Sequence, residues 1–244
     1  MKIFQTLSSL SLSLILVFWL SACSSDEATE TQSLTLTFQV VAHGETMDFE
    51  TQKYQTEAGQ EMSFERIKIY LSQVHLMGEN EQVLYTESES YHLLSFDVEN
   101  STVSFTLDGV PANVPIVAVQ MGVGVDATAN GSIDQVGDLD PSNGMAWDWN
   151  TGYKFLLLEG RYFPEADELG KEIKMHIGTD KNYFVQTWTL EAPRSLSQAE
   201  TIHFVVDGLA PIGTVDYTQG TVFMNDDRGD EVAQNYKNTL ISLK

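Results

Sequence analysis

The sequence of 244 residues contains a single cysteine, Cys23, so it has no second thiol for a disulfide within the chain. Basic residues are also scarce: 13 lysines and arginines stand against 35 aspartates and glutamates, and the formal net charge is −22. Because phosphate backbones are bound through a basic footprint, this balance excludes nucleic acid as an expected partner. The acidity is typical of a soluble surface, and it favours encounter with cations or with a basic partner protein.

Sequence signatures of enzymes are missing as well. The chain has no glycine-rich phosphate-binding motif, no Gly-x-Ser-x-Gly nucleophile motif and no His-Glu-x-x-His zinc motif. Paired carboxylates are too frequent in so acidic a chain to indicate a glycosidase. We therefore expect a protein that is not an enzyme and has no catalytic residues.

Cys23 directly follows a short apolar run near the start of the chain. Lys2 supplies a minimal basic region, Leu10–Leu20 supplies the hydrophobic stretch, and small residues precede the cysteine. The run is interrupted by serines and is shorter than the roughly 20 apolar residues that a transmembrane helix needs. The pattern predicts a lipoprotein signal peptide over residues 1–22 and lipid attachment at Cys23. Residues 23–33 are polar beyond the cysteine and are predicted to form a flexible tether.

Lipidation of Cys23 would attach the chain to a membrane surface. Ser24 and Ser25 follow the cysteine, and no aspartate stands directly after it. This favours the outer membrane of a bacterial cell envelope, with the protein facing the periplasm. The lipidated chain would have no free thiol. Any metal would then be held by histidine, carboxylate, methionine or carbonyl groups.

Residues 34–244 show the pattern of one all-β domain. Four segments alternate apolar and polar residues: Leu34–Val41, Ile67–Leu71, Val103–Leu107 and Ile202–Val206. Denser apolar runs over Val114–Gly124 and Phe155–Leu158 predict strands that are covered on both faces. The economical architecture is an antiparallel Greek-key β-sandwich. Apolar spacing over Gly229–Leu240 predicts a short C-terminal helix.

The centre of the chain carries a series of distinctive blocks. They are Gly122–Asp126, Leu139–Met145, Trp147–Phe155 and Leu158–Gly160, with further blocks at Ile69–Leu76, Tyr91–Leu94, Leu107–Pro111 and Met175–Gly178. In this order they resemble the MbnP-like family, whose members are periplasmic proteins associated with some methanobactin gene clusters. The resemblance runs from about Leu34 to Leu243, so it identifies the predicted β-sandwich over residues 34–244 as an MbnP-like domain.

The resemblance implies a protein that binds or handles copper outside the cytoplasm. In characterised relatives the copper site combines histidines with a tryptophan oxidised to kynurenine, and the oxidation is attributed to a di-haem enzyme of the MauG type. Kynurenine offers an aromatic amine and a carbonyl that tryptophan lacks, and imidazole nitrogen suits copper in both common oxidation states. The resemblance thus predicts copper as the bound metal and a di-haem MauG-like peroxidase as a partner.

Two histidines are predicted metal ligands. His176 matches a histidine that recurs in the family, and His43 lies where the first strand gives way to a glycine-containing turn, a common place for binding sites. The other histidines lie in strand patterns, where a packed or surface role is more common: His75, His92 and His203. Soft thioether neighbours could come from three methionines: Met145, Met175 and Met224.

Three tryptophans are candidates for the oxidised residue. Trp147 and Trp149 lie in the central blocks, and their spacing would place both on one face of a strand. Trp188 follows the His176 block by a short stretch. Large aromatic residues also dominate the cores of β-sandwiches, so a purely structural role stays open for all three.

Two other functions remain open. In copper-binding relatives the block after the Gly-Val motif ends in Asn-His or His-Asn, whereas Val125–Asn130 contains no histidine. This departure favours a metal-free acidic lipoprotein that docks another protein. The third hypothesis is a calcium-stabilised adhesion-type domain, because the segment Asp126–Asp140 is rich in side-chain oxygens. Its spacing does not match the EF-hand pattern.

Overall fold

The computed structural model describes residues 30–148, 152–164, 169–213 and 215–244. Within these residues the chain forms fourteen β-strands and two α-helices, connected by loops and short 3-10 turns. The strands are β1 (Thr31–Ala42), β2 (Glu45–Thr46), β3 (Tyr54–Gln55), β4 (Glu61–Met77), β5 (Val83–Thr86), β6 (Tyr91–Asp97), β7 (Thr102–Pro111), β8 (Ile116–Val123), β9 (Lys154–Phe163), β10 (Lys171–Gly178), β11 (Phe184–Arg194), β12 (Glu200–Asp207), β13 (Val222–Phe223) and β14 (Ile241–Leu243). The helices are α1 (Ala127–Asn130) and α2 (Asp227–Tyr236).

The strands form two sheets. The five-stranded sheet has the order β14-β12-β1-β2, and β7 also pairs with β1. The nine-stranded sheet has the order β11-β8-β4-β9-β10-β13, and β3, β5 and β6 also pair with β4. The predicted all-β sandwich is confirmed. Most pairings are antiparallel as expected, but β1 pairs with β12 and β10 with β13 in parallel. Long stretches of chain separate the strands of both pairs, and such crossovers are what parallel pairing requires.

The main core lies between the two sheets. On β1, Leu36 and Phe38 are fully buried, and the intervening residues are only half-buried, as the predicted alternation requires. Phe38 stacks on Phe204 of β12 at a ring-centroid distance of 4.9 Å. The opposite sheet contributes Ile67 and Ile69 of β4 to the same cluster. Burial of these apolar side chains is the main stabilisation of the sandwich.

The first strand begins before the predicted domain boundary. β1 starts at Thr31, inside the segment 23–33 that the sequence assigns to a tether. Its first residues are ordered by pairing, because Thr31 lies opposite Pro111 and Gln32 opposite Val110 of β7. Hydrogen bonding to a neighbouring strand thus extends the sheet into a segment that is too polar to be recognised as core.

The predicted C-terminal helix is present as α2, which begins at Asp227 rather than at Gly229. Asp226 caps it, because its carboxylate accepts a hydrogen bond from the Gly229 amide at 2.9 Å. The buried side chains of α2 are Val232, Ala233 and Tyr236. In the part of the chain that the structure describes, no helix has the length and apolar character needed to cross a membrane.

β9 is covered on both faces, as its dense apolar run predicts. Leu156 and Leu158 join the main core, while Phe155 and Leu157 belong to a second cluster on the other face of the nine-stranded sheet. This outer cluster consists of Tyr70, Val125, Ala129, Leu139, Met145, Tyr153, Phe155 and Leu157. Five of its members come from the connection between β8 and β9, which therefore packs onto the outer face of the sheet.

Candidate metal site on the outer face of the nine-stranded sheet

The alternation of β10 directs His176 to the outer face. Met175 and Ile177 on either side of it are fully buried in the main core, so the intervening side chain points the other way. Only 13% of the His176 side chain is exposed. Its register partner is Leu157 of β9, a member of the outer cluster. His176 therefore lies at the edge of the layer that the β8–β9 connection covers.

Glu159 supports His176. The Nε2 atom of His176 lies 2.8 Å from Oε1 of Glu159, on the adjacent strand. The other carboxylate oxygen of Glu159 lies 2.7 Å from Nε of Arg66 on β4. When Nε2 carries the proton and donates a hydrogen bond to Glu159, Nδ1 holds the free lone pair. Histidine ligands in metal sites are commonly oriented by a carboxylate in this way.

Burial controls the charge of the pair. It lowers the pKa of His176 below its ordinary 6.5; the bond to Glu159 opposes this shift, and the charges of Lys154 and Lys174 reinforce it. For Glu159, burial alone would raise the pKa, but the bond to His176 and the charge of Arg66 outweigh burial and lower it. At neutral pH the site therefore holds a carboxylate beside a neutral imidazole, which is the form of histidine that binds metal.

Trp147 lies beside His176. Their ring centroids are 6.5 Å apart, with the ring planes inclined at 58°. The indole Nε1 donates a hydrogen bond to the Tyr153 carbonyl at 3.0 Å, and the side chain is buried. Trp147 follows an isolated bridge between Ala146 and Tyr153 instead of lying within a strand. The bridge places the indole next to Gly178, the last residue of β10.

Two lysines hold the connection in place above the sheet. Lys154 is buried, and its Nζ donates to the Gly144 carbonyl at 2.9 Å. Lys68 donates in the same way to the neighbouring Asn143 carbonyl at 3.0 Å. The Nζ of Lys154 also lies 5.6 Å from the ring centroid of Trp147, a cation–π arrangement. Burial lowers the pKa of Lys154.

Glu159, Arg66 and Lys154 were not predicted as site residues from the sequence. The sequence contained one signal for two of them. Lys154 and Glu159 stand at the two ends of the apolar run of β9, and a charged side chain next to a buried strand needs a partner. The partners could not be read from the sequence, since they depend on the register of β9 against β4 and β10.

The other candidate tryptophan with a described position, Trp188, lies on the opposite side of the sheet. Its Nε1 donates to the Ile241 carbonyl at 2.9 Å, and its ring meets Phe204 edge-on in the main core. Met175 is in the same core, whereas Met145 belongs to the outer cluster, and Met224 is partly buried next to β13. Among the candidate tryptophans and methionines with described positions, Trp147 and Met145 therefore lie on the face of the sheet that carries His176.

His43 has different surroundings from His176. It lies in the turn after β1 with a φ of 52°, and its Nε2 is 3.1 Å from the Gln55 carbonyl. The Tyr54 ring lies 6.4 Å from its ring. The two predicted ligands are therefore not brought together. Among the described residues, no three or more His, Cys, Asp or Glu side chains form a group that could hold a metal ion, so copper stays a prediction.

The remaining histidines occupy strands, as their sequence pattern indicates. His92 stacks on Phe105 of the opposite sheet at 3.5 Å and pairs with Glu87, whose Oε2 lies 2.7 Å from Nε2. His75 lies 2.9 Å from the Thr86 hydroxyl, and His203 is exposed on β12. Each of these positions is consistent with a packed or surface role.

Three carboxylates of the Asp126–Asp140 segment, in which calcium binding was considered, each accept hydrogen bonds from different groups. Asp126 accepts from amides of α1, which it caps, and from the Tyr91 hydroxyl. Asp138 accepts from the Leu93 amide, and Asp140 caps the turn that follows it. These bonds fasten the connection to the sheet. Calcium binding stays a prediction.

Two predicted residues lie outside the described part of the chain. Cys23 falls in residues 1–29, with the predicted signal peptide and most of the tether, and Trp149 falls in residues 149–151. Lipid attachment at Cys23 and oxidation at Trp149 therefore stay predictions.

The described residues define a two-sheet β-sandwich whose outer face carries a half-buried histidine–carboxylate pair beside a tryptophan. The family model of MbnP matches residues 31–232, so the chain belongs to the MbnP family. This confirms the resemblance found in the sequence. Among solved structures the chain is similar to MbnP from Methylosinus trichosporium, with a TM-score of 0.54 and 18% identity over 82% of this chain and 83% of that chain. At this identity the likeness shows a shared fold. No curated relative matches the sequence.

Proposed function

We propose that this chain binds and handles copper outside the cytoplasm, at the site formed by His176, Glu159 and Trp147. The observation that carries the proposal is the placement of Trp147 beside His176, with Glu159 bonded to the imidazole. Membership of the MbnP family supports copper as the metal. The role is one of reversible binding, with no catalytic step.

His176 is the first ligand of the proposed site. Its imidazole is neutral at neutral pH because burial lowers its pKa, and Glu159 fixes which ring nitrogen carries the proton. Met145, in the adjoining outer cluster, is a thioether of the kind that copper(I) accepts. A single histidine is a weak site for copper, so the donor set fits the metal only if Trp147 contributes a second ligand.

Oxidation to kynurenine would give Trp147 that ability. The indole C2–C3 bond is cleaved and each of its carbons gains one oxygen atom, while two molecules of peroxide are reduced to two of water. Hydrolysis of the resulting N-formyl amide then releases the formyl carbon as formate. The products at the side chain are an aromatic amine and a ketone. We propose that a di-haem MauG-like peroxidase performs this reaction on Trp147, as the family resemblance implies.

The test is copper retention by four proteins produced together with the di-haem partner. All begin at Ser24 and so contain every described strand and helix. They are the unsubstituted chain, His176→Gln, Trp147→Phe and, as a matched control, His203→Gln on the exposed face of β12. After copper loading and desalting, the unsubstituted chain and the control should retain stoichiometric copper, and the two site variants should lose it. Full retention by His176→Gln would overturn the proposal.

The proposal includes a lipid anchor at Cys23 and a position at the outer membrane facing the periplasm. Substitution Cys23→Ser removes the acylated atom without changing the domain. In a Gram-negative host, the full-length protein should fractionate with the outer membrane, and the variant should not. Equal fractionation of both would contradict the anchor.

A metal-free docking module is the second candidate. His176 and Glu159 are partly buried and bond to each other, and Glu159 also pairs with the more exposed Arg66, so the histidine can be accounted for without a metal. The net charge of −22 would attract a basic partner protein. An unmodified, copper-free protein recovered from cells that contain the di-haem partner and copper would favour this function.

A further inference from the structure

A cavity of about 520 Å³ opens at the end of the sandwich where His43 lies. Four parts of the chain line it: the end of β1 with the turn that follows, residues 55–57 from the end of β3 onward, residues 207–213 from the end of β12 onward, and the end of α2 with the turn that follows. The volume is within the range of roughly 300–1,000 Å³ that is usual for small-molecule sites. None of the residues of the proposed copper site lines this cavity, so its occupant is a separate question.

The charged groups at the cavity are of one sign. Glu57 and Asp207 line it, and no lysine or arginine is found among its described lining residues. His43 is the one lining side chain in that set that can gain a positive charge. Asn235 brings the last turn of α2 to the wall, where the helix dipole adds partial negative charge. A cation is therefore favoured over an anion.

Apolar side chains complete the lining. Val41 and Ile212 are buried, and Leu209 is partly buried. A bare metal ion would make no use of this apolar lining, and the described residues contain no group of three or more ligating side chains that could hold one. The lining matches a ligand with both a positive charge and an apolar body.

The walls are held by hydrogen bonds. The Leu209 amide donates to Oδ1 of Asp207 at 2.9 Å, which fixes the carboxylate. The Asn235 amide nitrogen donates to the Pro211 and Ile212 carbonyls at 3.3 and 3.4 Å, so the loop is tied to α2. These contacts preform the cavity, which lowers the ordering cost of binding.

We propose that this cavity binds a small organic amine whose ammonium group pairs with Asp207 and Glu57 and whose apolar part contacts Val41, Leu209 and Ile212. The cavity shares no residue with the proposed copper site, so amine binding does not depend on whether copper binds.

The test uses phenethylamine and its neutral analogue 2-phenylethanol as probes. Each is titrated into the ¹⁵N-labelled chain from Ser24 onward, and amide shifts are followed. The amine should shift residues 43–44, 55–57, 207–213 and 235–239 in a saturable way and bind at least about tenfold more tightly than the alcohol, and salt should weaken it. Equal binding of the two probes, or shifts elsewhere only, would overturn the proposal.

Three substitutions assign the charge recognition. Asp207→Asn keeps the oxygen that accepts from Leu209, and Glu57→Gln changes an exposed side chain, so both should fold. Each should weaken amine binding by about threefold to tenfold, a range typical of a partly exposed charge pair. Glu99→Gln, in the exposed turn after β6, is the matched control and should leave binding unchanged. If all three variants bind equally, the carboxylates do not recognise the amine.

Discussion

His176 and Glu159 form a hydrogen bond across neighbouring strands, with Nε2 and Oε1 2.8 Å apart. The carboxylate is shared, because its second oxygen binds Arg66. Two separate causes set the charges of the pair. The bonds to His176 and Arg66 stabilise the Glu159 carboxylate, and burial keeps the His176 imidazole neutral. The same arrangement also couples the site to pH.

Loss of the Glu159 charge should lower the pKa of His176 further. Glu159 now raises that pKa against the effect of burial, and Glu159→Gln removes the negative charge while keeping the side-chain shape. NMR titration of the His176 ring measures the change. Glu87→Gln, at the His92 pair, is the control and should leave His176 unaffected. An unchanged or raised His176 pKa in Glu159→Gln would show that the carboxylate does not stabilise the imidazolium.

The stability of the fold should decrease in acid in two stages. Because the folded-state pKa of His176 lies below 6.5, the unfolded chain takes up this proton first, and stability is lost as the pH falls below about 6.5. Glu159 has a folded-state pKa below 4.5, so its contribution is lost at lower pH, as its carboxylate is protonated. Urea unfolding at a series of pH values measures this. His176→Gln should flatten the first stage, and an identical slope in both proteins would contradict the assignment.

Lys154→Met should destabilise the connection and raise the pKa of His176. The Gly144 carbonyl loses its donor, at a cost of about 1–3 kcal/mol for a buried unpaired group. The His176 pKa rises because the nearby positive charge is gone. Lys68→Met is the matched control: it removes the bond to the Asn143 carbonyl and should shift the His176 pKa less. Urea unfolding and NMR titration give the two readouts, and equal His176 shifts in both variants would contradict this reasoning.

Gly178→Ala should disturb Trp147. A methyl group at Gly178 would overlap the Tyr153 carbonyl oxygen and lie 3.1 Å from the indole Nε1. We expect a loss of about 1–3 kcal/mol in unfolding free energy, as for other crowded sites, with a change in the near-ultraviolet circular dichroism of the buried indole. Gly131→Ala is the control, because its nearest neighbour would be at 3.4 Å. Equal behaviour of the two variants would show that Trp147 does not pack against Gly178.

Local pattern was enough to predict the two-sided burial of β9. Phe155 and Leu157 alternate with Leu156 and Leu158, and a run with no polar position leaves no exposed face. The alternation of β1 was equally informative. The ordered family blocks predicted the domain as a whole, which the match over residues 31–232 confirms.

The composition of the site was less accessible from the sequence. His176 could be selected through the family, but its partner Glu159 depends on strand register, and Arg66 lies on a third strand. The proximity of Trp147 depends on a single bridge outside the named strands. These are long-range pairings, and they are set by tertiary packing and not by local propensity.

The position of an oxidised tryptophan is the most direct test of the proposed copper site. The protein is produced with the di-haem partner and copper, digested, and mapped by peptide mass spectrometry, with copper measured on the intact sample. We predict kynurenine at Trp147, an unchanged Trp188, and copper that is lost in His176→Gln. Kynurenine at Trp149 or Trp188 with Trp147 intact, or copper bound equally without His176, would contradict the site described above.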